Sequence, residues 1–341
     1  MSIQIIPFHD DLIPQAGKLL TLRHRNDRIS LPALPSRFED PSVACRAIQT
    51  SLHRQHTSGF AALSNGKLIA YLIGDMVIDN LWGRSAWVRT PGCAYLPETE
   101  VEIIRDLYAA LGAHWVDYGI FFHYVLLPIT DKSLIHAWFS LSFGIEHIYA
   151  LADLEALDLV LPNPLPGIEI RKAGPQDRQR LADMSDVVWR EQVKAPVWAV
   201  QMPEAVDENR EIWASQVDEP DMTIWLALET NGRVVGIQGF WPAETALNAS
   251  EDNLFIPERC AHMGMAGTRE DKRGQGISTL LTYHVLTQAR ESGYRFCNTD
   301  WRSTNLLASR FWPHRGYQPV AYRLVRRIDQ RISWANGIVP E

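Results

Sequence analysis

The sequence lacks the cysteine pattern of a disulfide-bonded or zinc-binding protein. Its 341 residues include four cysteines, and no two of them form a CxxC pair. Cysteines scattered in this way indicate reduced thiols in a cytosolic protein. The N-terminus also lacks a basic segment followed by an apolar one, so it predicts no secretion signal. The four cysteines are Cys45, Cys93, Cys260 and Cys297. We therefore expect a cytoplasmic protein that binds no metal.

Positive charge and long apolar runs are scarce as well. The formal net charge is -7, whereas a nucleic-acid or anionic-membrane partner calls for a basic face. The longest apolar stretch, residues 115–129, contains Asp117 and His123 and is too short to span a bilayer. The sequence therefore predicts neither a nucleic-acid nor a membrane partner. It leaves open whether the protein is a monomer or a homodimer.

What the chain does contain is an internal repeat. A length of 341 residues favours two domains. A proline-rich segment at residues 159–167 predicts a stiff linker near the middle of the chain. Each half has two β-rich runs around an Asn-Gly turn, and these turns predict matching hairpins at Asn65-Gly66 and Asn231-Gly232.

Further landmarks of the repeat lie near the end of each half. The segment DKSLIHAWFSLSFG in the first half resembles NLLASRFWPHRGYQ in the second. Strand and helix patterns also restart after the linker, and together these matches indicate a duplicated α/β fold, a layered α+β architecture with a mixed sheet. The predicted division is a first domain at 1–155, a linker at 156–167 and a second domain at 168–341.

The two halves differ most at one loop, Arg273-Gly-Gln-Gly-Ile-Ser278. The loop follows a β-like run that ends at Thr268, and it precedes an amphipathic helix. Free N–H groups at the start of such a helix favour an anion, and Gly274 and Gly276 let a phosphate approach the backbone. The spacing fits neither a Walker P-loop nor a Rossmann fingerprint. The alternative is a tight turn into a surface helix.

This loop resembles the signature of the GNAT superfamily of acyl-CoA-dependent N-acyltransferases, [RQ]-x-x-G-x-[GA]. The match departs only at Ser278, where the family has Gly or Ala. A second family motif, N-x-x-A followed by two aromatic residues and then Gly-aromatic, is similar to Asn305–Tyr317. The resemblance is good over residues 168–334 and weak over 1–155.

The resemblance implies which residues hold coenzyme A. In the family the backbone of this loop binds the pyrophosphate, and the pantetheine arm lies along the preceding strand. It implies acetyl-CoA as the co-substrate and no metal. The residues that the family pattern assigns to the co-substrate are Met265, Ala266, Gly267, Thr268, Arg273, Gly274, Gln275, Gly276, Ile277, Ser278, Asn305, Ala308 and Trp312.

The N-terminal copy departs from the family at the same place. With the two copies aligned at an offset of 174, Arg273 meets Thr99, and the stretch LPETEVEIIRD has three glutamates and no glycine. An acidic first turn suits a helix N-terminus but repels a pyrophosphate. We expect this copy to be a degenerate GNAT-like domain without coenzyme A, an arrangement similar to that of mycothiol synthase.

The chemistry that the resemblance implies is attack of an amine on a thioester, which a base assists. In histone-type members a glutamate eleven residues before the first residue of the motif serves as base, and the same count from Arg273 reaches His262. A neutral imidazole suits that role. The alternatives are a strand histidine with a structural hydrogen bond and a register shifted by a β-bulge.

Other candidates are less clear from the sequence. The position of the family's usual tyrosine acid is Trp312, whose indole is not a proton donor of that kind. Asp300 and Trp189 are candidates for binding the acceptor, and a helix cap and a core position are their respective alternatives.

These residues favour transfer of an acetyl group from acetyl-CoA to a small-molecule primary amine. One alternative is a non-catalytic acyl-CoA-binding sensor, which the missing tyrosine favours. The other is a protein or peptide N-acetyltransferase, which an open groove would favour. The sequence specifies neither the acceptor nor the length of the acyl chain.

Overall fold

The structure, a computed structural model, describes residues 3–79, 82–245 and 253–335. They form two compact units that are each built from more than one segment of the chain. Unit 1 contains the described residues of Met1–Ile148, Ser250–Pro257 and Pro319–Glu341. Unit 2 contains those of Tyr149–Ala249 and Glu258–Gln318.

Strands and helices follow one another along the chain as a mixed α/β fold requires, which confirms the predicted fold class. The strands are β1 (Ile3–Pro7), β2 (Thr57–Ser64), β3 (Lys67–Asp79), β4 (Gly83–Val88), β5 (Cys93–Tyr95), β6 (Phe122–Pro128), β7 (Gly144–Asp153), β8 (Ile168–Lys172), β9 (Thr223–Glu229), β10 (Val234–Pro242), β11 (Cys260–Thr268), β12 (Phe296–Arg302) and β13 (Gln318–Arg327). The α-helices are α1 (Ile13–Ser30), α2 (Pro41–Leu52), α3 (Glu102–Asp117), α4 (Lys132–Ser140), α5 (Arg178–Ala182), α6 (Trp189–Gln192), α7 (Glu204–Ser215), α8 (Ile277–Glu291) and α9 (Leu306–Phe311).

Unit 1 is a sheet with helices on both faces. Its strand order is β1–β2–β3–β4–β6–β13, and β5 pairs with the first half of β3. Strands β4 and β6 are parallel, whereas β13 runs antiparallel to β6. Because successive side chains of a strand point to opposite faces, the strands supply two cores. One contains Trp115 of α3 and Trp138 of α4, and the other contains Leu20 of α1 and Ile48 of α2.

Unit 2 repeats this plan with strand order β7–β12–β11–β10–β9–β8, in which residues 149–153 of β7 take part. Strands β11 and β12 are parallel, and the pairs β10–β11, β9–β10 and β8–β9 are antiparallel. Helix α8 packs Ile277 and Leu281 on one face of the sheet. Leu181 and Met184, at and just after α5, pack on the other face.

The predicted Asn-Gly turns both close hairpins. Asn65 and Gly66 have φ of 50° and 73°, and β2 pairs with β3 around them. Gly232 has φ of 79° between the paired strands β9 and β10. A left-handed φ costs glycine little and most residues more, which is why these two positions could be identified as turns from the sequence.

Each unit includes a strand from the other half of the sequence. Strand β13 belongs to unit 1 from Pro319 onward and pairs with β6 at Leu324 and Val125. The predicted division at 1–155, 156–167 and 168–341 follows the sequence repeat, and it stays a prediction. No helix within the described ranges has both the length and the apolarity to cross a membrane.

A buried carboxylate links β8 to α5 in unit 2. Asp177 accepts two hydrogen bonds from the Arg171 guanidinium, at 2.7 and 2.8 Å, one from Arg180 at 2.9 Å and one from the Gly174 backbone N–H at 3.0 Å. The hydrogen bonds from Arg171 are the main cause that lowers the pKa of Asp177 to about 2. Since the charged form is favoured in the folded state, Asp177 stabilises the fold when it is ionised.

We predict that Asp177→Asn lowers the free energy of unfolding at pH 7 by about 2 kcal/mol, the size of the pKa shift expressed as energy. The pKa of Asp177 is lower when folded than when unfolded. Its contribution is therefore complete above about pH 4 and is lost as the pH falls toward 2. Urea unfolding at several pH values would measure this. The control is Asp186→Asn, at an exposed i,i+4 pair with Arg190. A stability difference that does not shrink in acid would contradict the prediction.

Candidate active site

The glycine loop forms an uncapped helix N-terminus. Gly274 and Gly276 both have left-handed backbones, with φ of 74° and 84°, and Gly276 is the N-cap of α8. No side chain caps α8, so the N–H groups of its first turn are not engaged by a side chain of the loop. The loop therefore places free donors and the positive end of a 15-residue helix at one point, which suits an anion.

Ser278, the one departure from the family signature, is accommodated by a hydrogen bond. Its hydroxyl lies 2.6 Å from the hydroxyl of Thr268 at the end of β11. The backbone carbonyl of Ser278 accepts a hydrogen bond from Gln238 Nε2 at 3.2 Å, and that nitrogen also lies 2.9 Å from the Thr282 hydroxyl. The serine hydroxyl thus holds the loop against β11, and the serine carbonyl holds it against β10.

A cavity of about 480 Å³ opens in front of this loop, entirely within unit 2. Most residues that the family pattern assigned to acetyl-CoA line it. They are Ala266, Gly267, Thr268, Arg273, Gly274, Gly276, Ile277, Ser278, Asn305, Ala308 and Trp312. The tertiary structure therefore brings together two motifs that lie about 30 residues apart in the chain.

The cavity follows the edge of β11 where this strand leaves β12. Their parallel pairing joins Cys260–His262 to Phe296–Asn298. Beyond this paired stretch, the Thr299 hydroxyl donates a hydrogen bond to the Met263 carbonyl at 2.9 Å. The last residues of β11 line the cavity. A ligand lying in the opening can therefore meet backbone groups of β11 in the manner of an added strand.

His262 lies at the point where the two strands part. Its Nδ1 is 3.1 Å from Asn298 Oδ1, and its ring meets Trp241 edge-on at 4.8 Å between centroids. The pairing of β11 with β10 skips a residue here, because Gly239 faces Met265 while Trp241 faces His262. The β-bulge that the sequence left open is thus present just after His262.

Five predicted site residues, His262 among them, do not line the cavity. Met265 is buried in β11, and the Gln275 side chain is exposed with a 3.4 Å contact to the Asp271 carbonyl. Asp300 is half-buried on β12, two residues beyond Asn298, and Trp189 begins α6. Their proposed roles stay predictions.

The structure also adds residues that sequence reasoning missed. Gln238 is 1% exposed on β10 and lines the cavity, and its Oε1 has no hydrogen-bond partner among the described residues. A glutamine inside the apolar run VVGIQGFW was a signal that could have been read. Val187, Val188 and Glu191 come from the segment around α6, and no spacing in the sequence links them to the loop.

Glu191 places a carboxylate among the cations of the cavity. Its Oε2 lies 2.7 Å from Arg273 NH1 and 3.4 Å from Lys194 Nζ. Lys272, which also lines the cavity, forms an ion pair with Glu229. Lys272 and Arg273 are thus both engaged by carboxylates. An anionic ligand therefore has to compete with Glu191 for Arg273.

The corresponding place in unit 1 is built differently. The chain between β5 and α3 carries two of the three glutamates, and α3 begins with the third, Glu102. The buried side chain of Arg23 donates to the carbonyls of Thr90 and Cys93, in the gap between β4 and β5. These two carbonyls are therefore already engaged by the protein itself.

Comparisons with known proteins agree with this geometry. Residues 183–317 match the family model described as Acetyltransferase (GNAT) family. No curated protein matches the chain. Among solved structures, a GCN5-related N-acetyltransferase from Sphaerobacter thermophilus has a TM-score of 0.60 at 15% identity, with 95% of each chain covered.

Two further solved structures are similar over 95% of this chain. A tandem GNAT protein from the clavulanic acid biosynthesis pathway has a TM-score of 0.53 at 14% identity, with 98% of that chain covered. The glucosamine N-acetyltransferase region of a fungal GH3 β-N-acetylglucosaminidase has a TM-score of 0.56 at 16% identity, with 38% of that chain covered. At such low identities these solved structures show the fold alone. The predicted tandem architecture of this chain fits the tandem GNAT protein. By its family match, the chain contains a GNAT acetyltransferase domain at residues 183–317.

Proposed function

We propose that this protein transfers an acetyl group from acetyl-CoA to a small-molecule primary amine in the cytoplasm. The observation that carries the proposal is the cavity at the uncapped start of α8, which continues along the free edge of β11. GNAT acetyltransferases use acetyl-CoA, and the cavity offers an anion site and a strand edge in the order in which that molecule presents its pyrophosphate and its pantetheine arm.

The pyrophosphate and the pantetheine arm each have partners in this cavity. The pyrophosphate takes the N–H groups of the loop and displaces Glu191 from Arg273. The pantetheine amides meet backbone groups of β11 near Gly267, and the orphaned Gln238 Oε1 accepts one further N–H. A Cβ atom at Gly267 would lie 2.4 Å from Val187 Cγ1, so packing against Val187 excludes a side chain at that position.

The reaction needs one proton acceptor. The amine nitrogen attacks the thioester carbonyl carbon, and the C–S bond breaks with its electron pair left on sulfur. His262 takes the proton that the nitrogen loses, since it lies at the apex of the opening between β11 and β12. Trp312 at the usual acid position leaves the thiolate to depart without a protein donor. Tyr317 is not a substitute, because its buried hydroxyl is bound to Cys297 Sγ at 3.1 Å.

The acceptor class and the rival functions are tested together. One structural neighbour is named as a glucosamine N-acetyltransferase, and glucosamine is a small primary amine. Release of free thiol from acetyl-CoA would be followed with a panel of amino acids, polyamines, amino sugars and peptides. Turnover with peptides alone would favour the protein N-acetyltransferase, and binding of acetyl-CoA without turnover on any amine would favour the sensor.

We predict that coenzyme A binds once per chain and that Gly276→Glu abolishes binding, because the new carboxylate lies where the pyrophosphate binds. Isothermal titration calorimetry would measure affinity and stoichiometry. Gly293→Glu is the matched control, since Gly293 follows the end of the same helix with φ of 91° and has no atom within 4 Å of the place that a Cβ would take. Two equivalent sites, or equal affinity in the Gly276 variant and the wild type, would contradict this.

We predict that Glu191→Gln tightens coenzyme A binding about two- to fivefold, the range expected when an exposed ion pair no longer competes for Arg273. The control is Glu270→Gln, which removes the same charge from the neighbouring pair with Lys194 but does not alter a cavity residue. The same titration measures both variants. Weaker binding in Glu191→Gln would mean that Glu191 orients Arg273 for the ligand.

We predict that His262→Ala slows turnover, because His262 is the proposed proton acceptor. Turnover should fall about 10²-fold or more, the usual contribution of a general base. His284→Ala is the control, because His284 is a half-buried histidine of α8 that stacks on Trp225. A full-rate His262→Ala enzyme would assign the base to another group.

A further inference from the structure

The proton acceptor at the apex has a hydrogen-bonded neighbour on the adjacent strand. In the parallel register of β11 and β12, His262 stands directly beside Asn298, and this is the last paired position before the strands part. The 3.1 Å contact joins His262 Nδ1 to Asn298 Oδ1. A carbonyl oxygen only accepts hydrogen bonds, so this contact is a hydrogen bond when Nδ1 carries the proton.

A proton on Nδ1 leaves Nε2 of a neutral imidazole as a lone-pair acceptor. The residue next to this nitrogen is a glycine. Gly264 is exposed, and a Cβ atom at that position would lie 2.7 Å from His262 Nε2 and would overlap the Trp241 ring. The bulge residue thus has no side chain that would cover Nε2, while Trp241 fixes the ring from the side.

We propose that Asn298 is a positioning residue that holds His262 in the tautomer with a free Nε2, so that this nitrogen takes the proton of the attacking amine. The inference rests on the proposed function of His262 as base. Asn298 acts through the ring and touches neither reactant. Asn298 lies on β12 and His262 on β11. The tautomer of His262 is therefore fixed only when both strands of the opening are in place.

Few ionisable groups of the neighbouring elements compete for this role. On the two strands these are Cys260, Cys297, Asp300 and Arg302, and burial raises the pKa of both cysteines above the ordinary thiol value. After β10, Glu244 is exposed. Asp300 lies two residues beyond Asn298 on the same face of β12, one step further into the opening.

Helix α8 also contacts β11 and carries Tyr283, His284, Arg290 and Glu291. His284 stacks on Trp225 at 4.9 Å between ring centroids. Arg290 and Glu291 are exposed in the last turn of α8. We assign the choice of the His262 tautomer to its hydrogen bond to Asn298.

Asn298→Ala and Asn298→Asp test this in opposite ways. We expect Asn298→Ala to move the proton of the neutral ring from Nδ1 toward Nε2, which nitrogen-15 NMR of the imidazole reports without any turnover. Its kcat should fall about tenfold or more, as expected for a misplaced base, with the KM for acetyl-CoA unchanged. Asn298→Asp keeps an acceptor at the same place and adds a charge. It should retain the tautomer with a proton on Nδ1, as the same NMR measurement reports.

Asn209→Ala is the control for loss of one side-chain hydrogen bond. Asn209 is also half-buried and donates to the Ser185 carbonyl at 2.8 Å, but it lies on α7. An unchanged imidazole tautomer in Asn298→Ala, or a changed tautomer in Asn298→Asp, would overturn the proposal. If His262→Ala is fully active, the base assignment fails, and the NMR result still decides whether Asn298 sets the tautomer.

Discussion

The separation of β11 from β12 is the constraint on which the site depends. Two parallel strands normally satisfy each other's backbone groups, and here the pairing stops at His262 and Asn298. The released edge of β11 lies along the cavity and leads to a helix N-terminus, so it suits a thin ligand with an anionic end. The bulge in β11 serves the same opening, because an extra residue bends a strand and increases its twist. Gly264 lies at the bulge and has no side chain, and the rings of Trp241 and His262 occupy the space that a Cβ atom there would take.

Electrostatics distinguish the two units more than their topology does. Both contain a parallel strand pair at the matching place, β4–β6 and β11–β12. In unit 2 the helix after the opening begins with glycines and two cations, whereas in unit 1 it begins with glutamates, and Arg23 binds the carbonyls of the gap. A dianionic pyrophosphate is favoured at the first and repelled at the second.

The helices, the strands and the glycine-rich turns could be predicted from the sequence. Gly66 and Gly232 marked hairpins because their left-handed backbones suit glycine, and Gly274 and Gly276 also have left-handed backbones in the loop before α8. The anion site at this loop stays a prediction. Apolar periodicity placed α8 and the strands, since 3.6 and 2 are the repeats of a helix and a strand. These are local properties, and neighbouring residues encode them.

The meeting of distant groups, by contrast, is set by the folded unit. Nothing in the spacing links Glu191 to Arg273, 82 residues later, or Gln238 to the start of α8. The Asn298 contact depends on the register of two parallel strands, and the membership of β13 in unit 1 depends on pairing with β6. Strand pairing and ion pairs join residues that are far apart in the sequence, and the local sequence is compatible with many alternative pairings. Packing of the whole unit, not the order of residues, selects one of them.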